Sequence, residues 1–208
     1  MNEQEALEVF CDTGAIQEGH FVLASSCHAS KYIDKERLYQ HPHKIAKLCR
    51  AIAENFVDYE IDIVIGPEMG GIIPSQWVAY HLTNFLGHEV FSIYATKSQD
   101  GNFVIKDKHR EIVADKKALI VEDIISSGGS IKRVIEATRA VGGDIVGLGA
   151  LWNRGKVTEQ DLNIPILFSL VNIEIKVWDV DKCPYWLKKI PIDMDIGRGR
   201  YQRSRLWP

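Results

Sequence analysis

Between Ala118 and Ser130 the chain reads Ala-Leu-Ile-Val-Glu-Asp-Ile-Ile-Ser-Ser-Gly-Gly-Ser. Four apolar residues, the content of a short buried strand, run into two adjacent carboxylates, Glu122 and Asp123. A turn rich in hydroxyls and glycine follows and opens a helix. Residue types in this order suit a phosphorylated sugar. Backbone N–H groups of the turn and the positive end of the helix dipole make a cradle for an anion. Gly128 and Gly129 let the main chain come close to that anion and take up positive φ. The hydroxyls of Ser126, Ser127 and Ser130 add hydrogen bonds. Glu122 and Asp123 would repel a phosphate they faced, but one step before the cradle they suit the hydroxyls of an attached sugar. A phosphate followed at short range by a diol is a ribose 5-phosphate. The plainer reading is a polar loop with a helix cap at Ser130. The apolar strand, the acid pair and the glycine turn in one run favour the site.

Other chemistries find less support. The phosphate loop G-x-x-x-x-G-K-[ST] is absent, and no G-x-G-x-x-G follows a strand. His41-x-His43 has no Cys or carboxylate at ligand spacing, so it reads as a solvated or capping pair. No metal site made by the protein itself is expected. His28 reads as structural. Cys11, Cys27, Cys49 and Cys183 are scattered without a C-x-x-C pair or a Cys-His motif, which points to reduced thiols and against covalent cysteine catalysis. The basic run 197–205, part of a tail over 193–208, is compatible with a free terminus, a dimer contact or, less favoured, RNA.

The elements that must position this site follow from pattern. At about 150 residues per domain, 208 residues make one domain. With 46% hydrophobic and 25% charged residues the composition is globular. The net charge of −3 provides no bulk basic field for nucleic acid. No apolar run approaches the roughly 18 residues that span a bilayer. The acidic start, Met1-Asn2-Glu3-Gln4-Glu5, lacks a cationic region before an apolar stretch, so a cytoplasmic location is expected. Helices are expected over 3–12, 42–57, 72–86 and 131–141. Strands are expected over 20–23, 31–33, 61–65, 89–95, 118–121, 145–152 and 166–171, with a small polar run at 24–26. A polar stretch over 97–117 carries six Lys/Arg against four Asp/Glu and a hairpin near Asp100-Gly101-Asn102. Strands alternating with helices of 10–15 residues imply a parallel sheet. The expected fold is therefore α/β, with a doubly wound, mostly parallel sheet over about 60–180 and a small N-terminal lobe. In such sheets ligands bind at the carboxyl ends of the strands. Arg154, just past the strand 145–152, has the fork geometry to hold a carboxylate.

Val121-Glu122-Asp123-Ile124-Ile125-Ser126-Ser127-Gly128-Gly129-Ser130 resembles the phosphoribosyl-pyrophosphate motif of type I phosphoribosyltransferases. Residues 19–34, from Gly19-His20-Phe21 to Tyr32-Ile33-Asp34, resemble the N-terminal hood of orotate phosphoribosyltransferases. Gly66-Pro67-Glu68-Met69-Gly70-Gly71 is similar to their pyrophosphate loop, and Trp152-Asn153-Arg154-Gly155 to their Asp-Arg-Ser turn, with Asn153 where Asp is usual. Asp181-Lys182-Cys183-Pro184 is similar to a Cys-Pro element of some bacterial members. The resemblance spans about residues 14–192. It implies one phosphoribosyltransferase domain, a hood over about 14–40, and transfer of phosphoribose to orotate in pyrimidine synthesis. It further implies Mg²⁺ bound through the substrate, and a homodimer that shares a mobile loop. Carried onto this chain, Lys97, Lys106 and Asp123 are the expected catalytic residues, with Lys108 or Arg110 as further loop cations. Gly70, Gly71, Lys97 and the run 122–130 are expected to hold phosphoribosyl pyrophosphate. Ser126 and Arg154 are expected to hold orotate. Tyr32 is open between stacking on the base and a core or interface role. Two alternatives are carried forward: transfer to another base, such as a purine, and a non-catalytic sensor of the same nucleotide.

Overall fold

Apolar strands that bury both faces organise the chain. The computed structural model describes residues 1–23 and 25–197. Ala24 and the basic tail 198–208 lie outside the described residues. In chain order the elements begin with α1 (Glu3–Asp12), β1 (Ile16–Val22), β2 (His28–Ile33), α2 (Lys35–Tyr39), α3 (Pro42–Glu54) and β3 (Ile63–Pro67). They continue with α4 (Ile72–Leu86), β4 (Phe91–Lys97), β5 (Phe103–Val104), α5 (Arg110–Val113), β6 (Lys117–Ile125) and α6 (Gly129–Ala140). The last are β7 (Asp144–Asn153), α7 (Glu159–Leu162), β8 (Leu167–Val171), β9 (Val177–Trp178) and α8 (Tyr185–Lys188). Among the described residues, 1–7 and 41–174 form one compact unit, and those within 8–40 and 175–197 a second.

The first unit holds a six-stranded sheet in the order β5-β4-β3-β6-β7-β8. All neighbours are parallel except β5, which runs antiparallel to β4. The chain moves outward from β3 to β4 on one side, then returns to β6 on the other. This reversal makes the carboxyl ends of β3 and β6 the switch point, where an open sheet leaves a crevice. The expected fold class is observed. Val64, Ile65, Leu119, Ile120 and Val121 have no exposed surface, as strands covered on both faces require. On one face α6 contributes Ile131, Val134 and Ile135 to a core with Ile63, Ile65, Ala118, Ile120 and Leu148. On the other face α3 lies so close to β7 that a Cβ on Gly149 would come within 2.5 Å of the Ile52 Cγ2.

Several boundaries differ from expectation for local reasons. The helix expected over 42–57 stops at Glu54, because the Asn55 side chain donates to the Ala51 carbonyl and competes with the next helical turn. The strand expected over 118–121 runs on to Ile125, since β7 pairs with it as far as Asn153. Glu122 and Asp123 are therefore inside the strand rather than beyond its exit. The polar stretch 97–117 is not one solvated loop. Phe103, Ile105 and Val113 are buried in the core and tie it down, and β5 closes a hairpin on β4.

The second unit is a small antiparallel sheet, β1-β2-β9. β1 starts at Ile16, earlier than expected, because its first four residues, Ile16-Gln17-Glu18-Gly19, are at most half-buried and carry no apolar alternation. A bulge between Glu18 and Phe21 shifts its register on β2. The rings of Phe21 and Tyr32 pack with centroids 5.6 Å apart. His20 bridges to Ile192, which brings the C-terminal segment alongside β1.

The Gly149→Ala variant tests the closeness of α3 to the sheet. Ile52 is fully buried and β-branched, so it has little room to turn away. Overpacking predicts a loss of about 1–3 kcal/mol in urea unfolding. An unchanged unfolding midpoint would mean that α3 stands off from β7.

Candidate active site

Three strand ends of the first unit build the site. β6 carries the acid pair. Glu122 is 7% exposed and Asp123 4% exposed, an unusual burial for two carboxylates in sequence. Successive strand residues face opposite sides of a sheet, so the two carboxylates part company. Glu122 lines a cavity of 110 Å³ with residues 124–131, whereas Asp123 does not line it. The Asp123 Oδ1 accepts the Ile124 N–H at 2.6 Å, and a Glu122 oxygen accepts the Asp123 N–H at 3.1 Å. The cavity is smaller than the roughly 300–1,000 Å³ of a pocket for a whole small molecule and suits one anionic group.

The turn after β6 forms that cavity. Gly128, at φ 75°, is the N-cap of α6, and no side chain caps the helix. The first-turn N–H groups of a helix have no intrahelical partner. Uncapped by side chain, they are available to an anion at the positive end of the dipole. Of the expected run 122–130, every residue but Asp123 is thus gathered on one cavity, with one distinction. The Ile125 side chain is 1% exposed and belongs to the core, so only its backbone is available, and its carbonyl accepts the Arg154 N–H at 3.0 Å.

The turn after β7 abuts this cradle. Gly155 presses on the Ser126 main chain so tightly that a Cβ there would lie 1.5 Å from the Ser126 oxygen. The Arg154 Nε donates to the Ser126 Oγ at 2.8 Å. The two residues expected to hold orotate therefore converge. Asn153 is buried, and its amide accepts the Val157 N–H at 3.1 Å and donates to the Val157 carbonyl at 2.8 Å. An ionised Asp accepts only, so it could not make both bonds.

The turn after β3 completes the edge. A Cβ on Gly66 would lie 2.2 Å from the Gly71 oxygen, and one on Gly71 would lie 2.8 Å from the Val121 oxygen. The loop carrying Gly70 and Gly71 is thereby packed against β6 one residue before Glu122. The Gly71 N–H donates to the Pro67 carbonyl, so the contribution of Gly71 is closeness rather than a donor. The Lys97 N–H donates to the Glu68 carboxylate at 3.0 Å, which ties the end of β4 to the same loop. Lys106 lies elsewhere. Its ammonium is 5.5 Å from the centre of the Tyr94 ring, just past β5 at the sheet edge. Three strand spacings, about 14 Å, separate β5 from β6. Arg110, another expected loop cation, is paired with Asp107 at 2.9 Å.

Residues 34–183 match the phosphoribosyl transferase domain. The chain belongs to the phosphoribosyltransferase family. The orotate phosphoribosyltransferase of Caldanaerobacter subterraneus is 34% identical over 194 residues, covering 92% of this chain and 96% of that one. That of Caldicellulosiruptor saccharolyticus is 36% identical over 194 residues, covering 92% and 95%. Among solved structures, Mycobacterium tuberculosis orotate phosphoribosyltransferase with Fe(III) dicitrate superposes with a TM-score of 0.65 at 20% identity, covering 81% of this chain and 95% of that chain. The adenine phosphoribosyltransferase of Thermoanaerobacter pseudethanolicus superposes at 0.54 and 16% identity, covering 68% and 87%. A phosphoribosyltransferase fold is thus common to enzymes named for different bases, and the base must be read from the site. No helix among the described residues is long and apolar enough to cross a membrane.

The Gly155→Ala variant of this phosphoribosyltransferase tests the joint between the two turns. Its Cβ meets backbone, which no side-chain rotation relieves. If displacing the Ser126 turn takes up about 1–3 kcal/mol, ribose 5-phosphate binds roughly 5–150-fold more weakly by calorimetry. Equal affinity with a folded variant would detach the β7 turn from the cradle.

Proposed function

We propose that the chain transfers the phosphoribosyl group of 5-phosphoribosyl 1-pyrophosphate to N1 of orotate, releasing orotidine 5′-monophosphate and pyrophosphate. The observation that carries this reading is the Arg154 Nε to Ser126 Oγ contact beside the anion cradle. It gathers a carboxylate-binding guanidinium and the 5-phosphate site at neighbouring strand ends. Orotate is the base with a carboxylate to match. The curated relatives above carry the corresponding name.

The roles follow from the chemistry. The uncapped α6 N-terminus and the hydroxyls of Ser127 and Ser130 hold the 5-phosphate. Glu122, on the cradle side of β6, accepts hydrogen bonds from the ribose hydroxyls. Asp123, on the opposite face of the strand, accepts the Ile124 N–H and so fixes the strand end that presents Glu122 to the sugar. Gly70 and Gly71 admit the pyrophosphate close to the main chain, and Lys97 supplies positive charge as the pyrophosphate leaves. Arg154 and Ser126 orient orotate so that N1 faces C1 of the ribose. The sugar passes through an oxocarbenium-like state, so stabilising the leaving group is the main demand on the site.

Mg²⁺ is the cofactor of this reading. On the cradle side, the Glu122 carboxylate is the hard oxygen donor that such an ion accepts, and substrate oxygens and water would make up the rest of its shell. When bound, it neutralises charge on the departing pyrophosphate.

A homodimer also belongs to the proposal. Lys106 lies beside β5, three strands along the sheet from β6, and its use in a neighbouring subunit's site is part of this reading. Tyr80, Phe85, Phe91 and Tyr94 of the first unit are between 37% and 55% exposed. That much aromatic surface suits a partner.

Loss of orotate absorbance on incubation with phosphoribosyl pyrophosphate and Mg²⁺ is the direct assay. Product from purine bases alone would move the substrate to the other branch of the family, and tight binding with no product from any base would favour the sensor. In the active enzyme, Arg154→Ala raises KM for orotate about 10–150-fold, the worth of a charge-assisted hydrogen bond, with far less effect on KM for phosphoribosyl pyrophosphate. Equal effects on both would remove Arg154 from the base. Asp123→Asn has the opposite selectivity, weakening the phosphoribosyl side, and unchanged kinetics would take Asp123 out of the site.

A further inference from the structure

We propose that His20, His28 and Cys183 form a transition-metal site in the second unit, with Zn²⁺ as the ion its donors fit best. The three side chains are 3%, 7% and 5% exposed. One ligand atom from each lies within 4.8 Å of the others. The His20 Nε2 is 2.6 Å from the His28 Nδ1 and 3.7 Å from the Cys183 Sγ. The proposed phosphoribosyl chemistry makes no use of these groups.

The hydrogen-bond pattern aims the His20 lone pair into the cluster. The His20 Nδ1 is 2.9 Å from the Ile190 carbonyl, which can only accept, so Nδ1 carries the hydrogen. The Nε2 is then a bare lone pair directed at the other two groups. A ligating imidazole commonly donates its second N–H to a backbone carbonyl in this way. Zn–N bonds of about 2.0–2.1 Å and a Zn–S bond of about 2.3 Å place tetrahedral ligands roughly 3.4–3.6 Å apart. The His20 to Cys183 spacing of 3.7 Å is within about 0.1 Å of this, the two imidazoles need to part by about 0.8 Å, and His28 and Cys183 lie within 4.8 Å of each other. Two imidazoles and a thiolate suit zinc rather than Mg²⁺, which takes oxygen ligands. Three protein ligands leave a fourth position for water. On binding, the Cys183 thiol loses its proton to solvent, and the His28 proton moves from Nδ1 to Nε2.

Such an ion would join the N-terminal hairpin to a segment 163 residues further along the chain. Holding ends that far apart in sequence is where a cross-link restricts the unfolded chain most.

The test uses the full chain without a histidine tag, stripped by chelation and titrated with Co²⁺ and then Zn²⁺. Expected are one ion per chain, a thiolate-to-cobalt charge-transfer band, release of about one proton per Zn²⁺, and a higher unfolding temperature with zinc. The Cys183→Ser variant should lose the band and weaken zinc binding by more than the roughly 10–100-fold that loss of a supporting residue costs. Cys27→Ser, which changes the thiol near Asp179, should leave both unchanged. Absence of stoichiometric metal, or a band that survives Cys183→Ser, would overturn the site and leave a hydrogen-bonded triad. Should Cys183→Ser fail to fold, the wild-type stoichiometry, band and proton release still decide. Orotate turnover plays no part in these readouts.

Discussion

Main chain must meet main chain at the carboxyl edge of the sheet, and the site depends on that approach. Gly155 touches the Ser126 backbone, Gly66 the Gly71 carbonyl and Gly71 the Val121 carbonyl, each at a distance where a side chain would collide. These contacts draw three strand ends into one crevice. A cradle built from backbone N–H groups works only if nothing fills it, so small residues are a structural demand of anion binding here. The parallel sheet supplies the other half of the constraint. Because β3 and β6 are neighbours while their helices leave toward opposite faces, the space between the two turns stays open.

Charge is distributed around that crevice with some care. A carboxylate beside a phosphate site is costly unless it faces a partner. Strand alternation resolves the conflict by giving only Glu122 to the cradle side and turning Asp123 away, onto the backbone of Ile124. The arrangement leaves positive potential at the α6 N-terminus and negative potential at Glu122, on the same cavity. That gradient is the one a 5-phosphorylated ribose presents in reverse, with its phosphate at one end and its hydroxyls at the other.

Much of this was legible in the order of residues, and the exceptions share a cause. The run from Ala118 to Ser130 announces strand, acids and turn because all its information is local. The helix α4 is equally plain, ending at Gly87 with φ 73°. β9 was invisible, since two residues carry no periodicity and exist as a strand only through pairing with β2. The first half of β1 was missed because Gln17 and Glu18 lie on an exposed edge. Lys106 looked like a neighbour of Lys97 in a loop, but Phe103 and Ile105 are drawn into the core between them. The histidines at 41 and 43, two residues apart, invited a metal reading. The ones that converge are His20 and His28, with a cysteine 163 residues from His20. Spacing cannot report a cluster assembled across a bulged hairpin and a returning chain end.

Asn153 shows how a departure from a familiar pattern can be compensated. An Asp at this buried position would bring a negative charge next to Arg154 and compete with a bound carboxylate for the guanidinium. The amide brings none, and it closes the turn with two bonds to Val157. Val157 in turn packs beneath Gly128, 3.1 Å from where a Cβ would be. The substitution therefore links the base-side turn to the phosphate-side turn through one apolar residue. Its effect is mechanical as well as electrostatic: the positions of Arg154 and of the cradle are set by the same short segment, so the two turns are held in register by backbone rather than by long, mobile side chains.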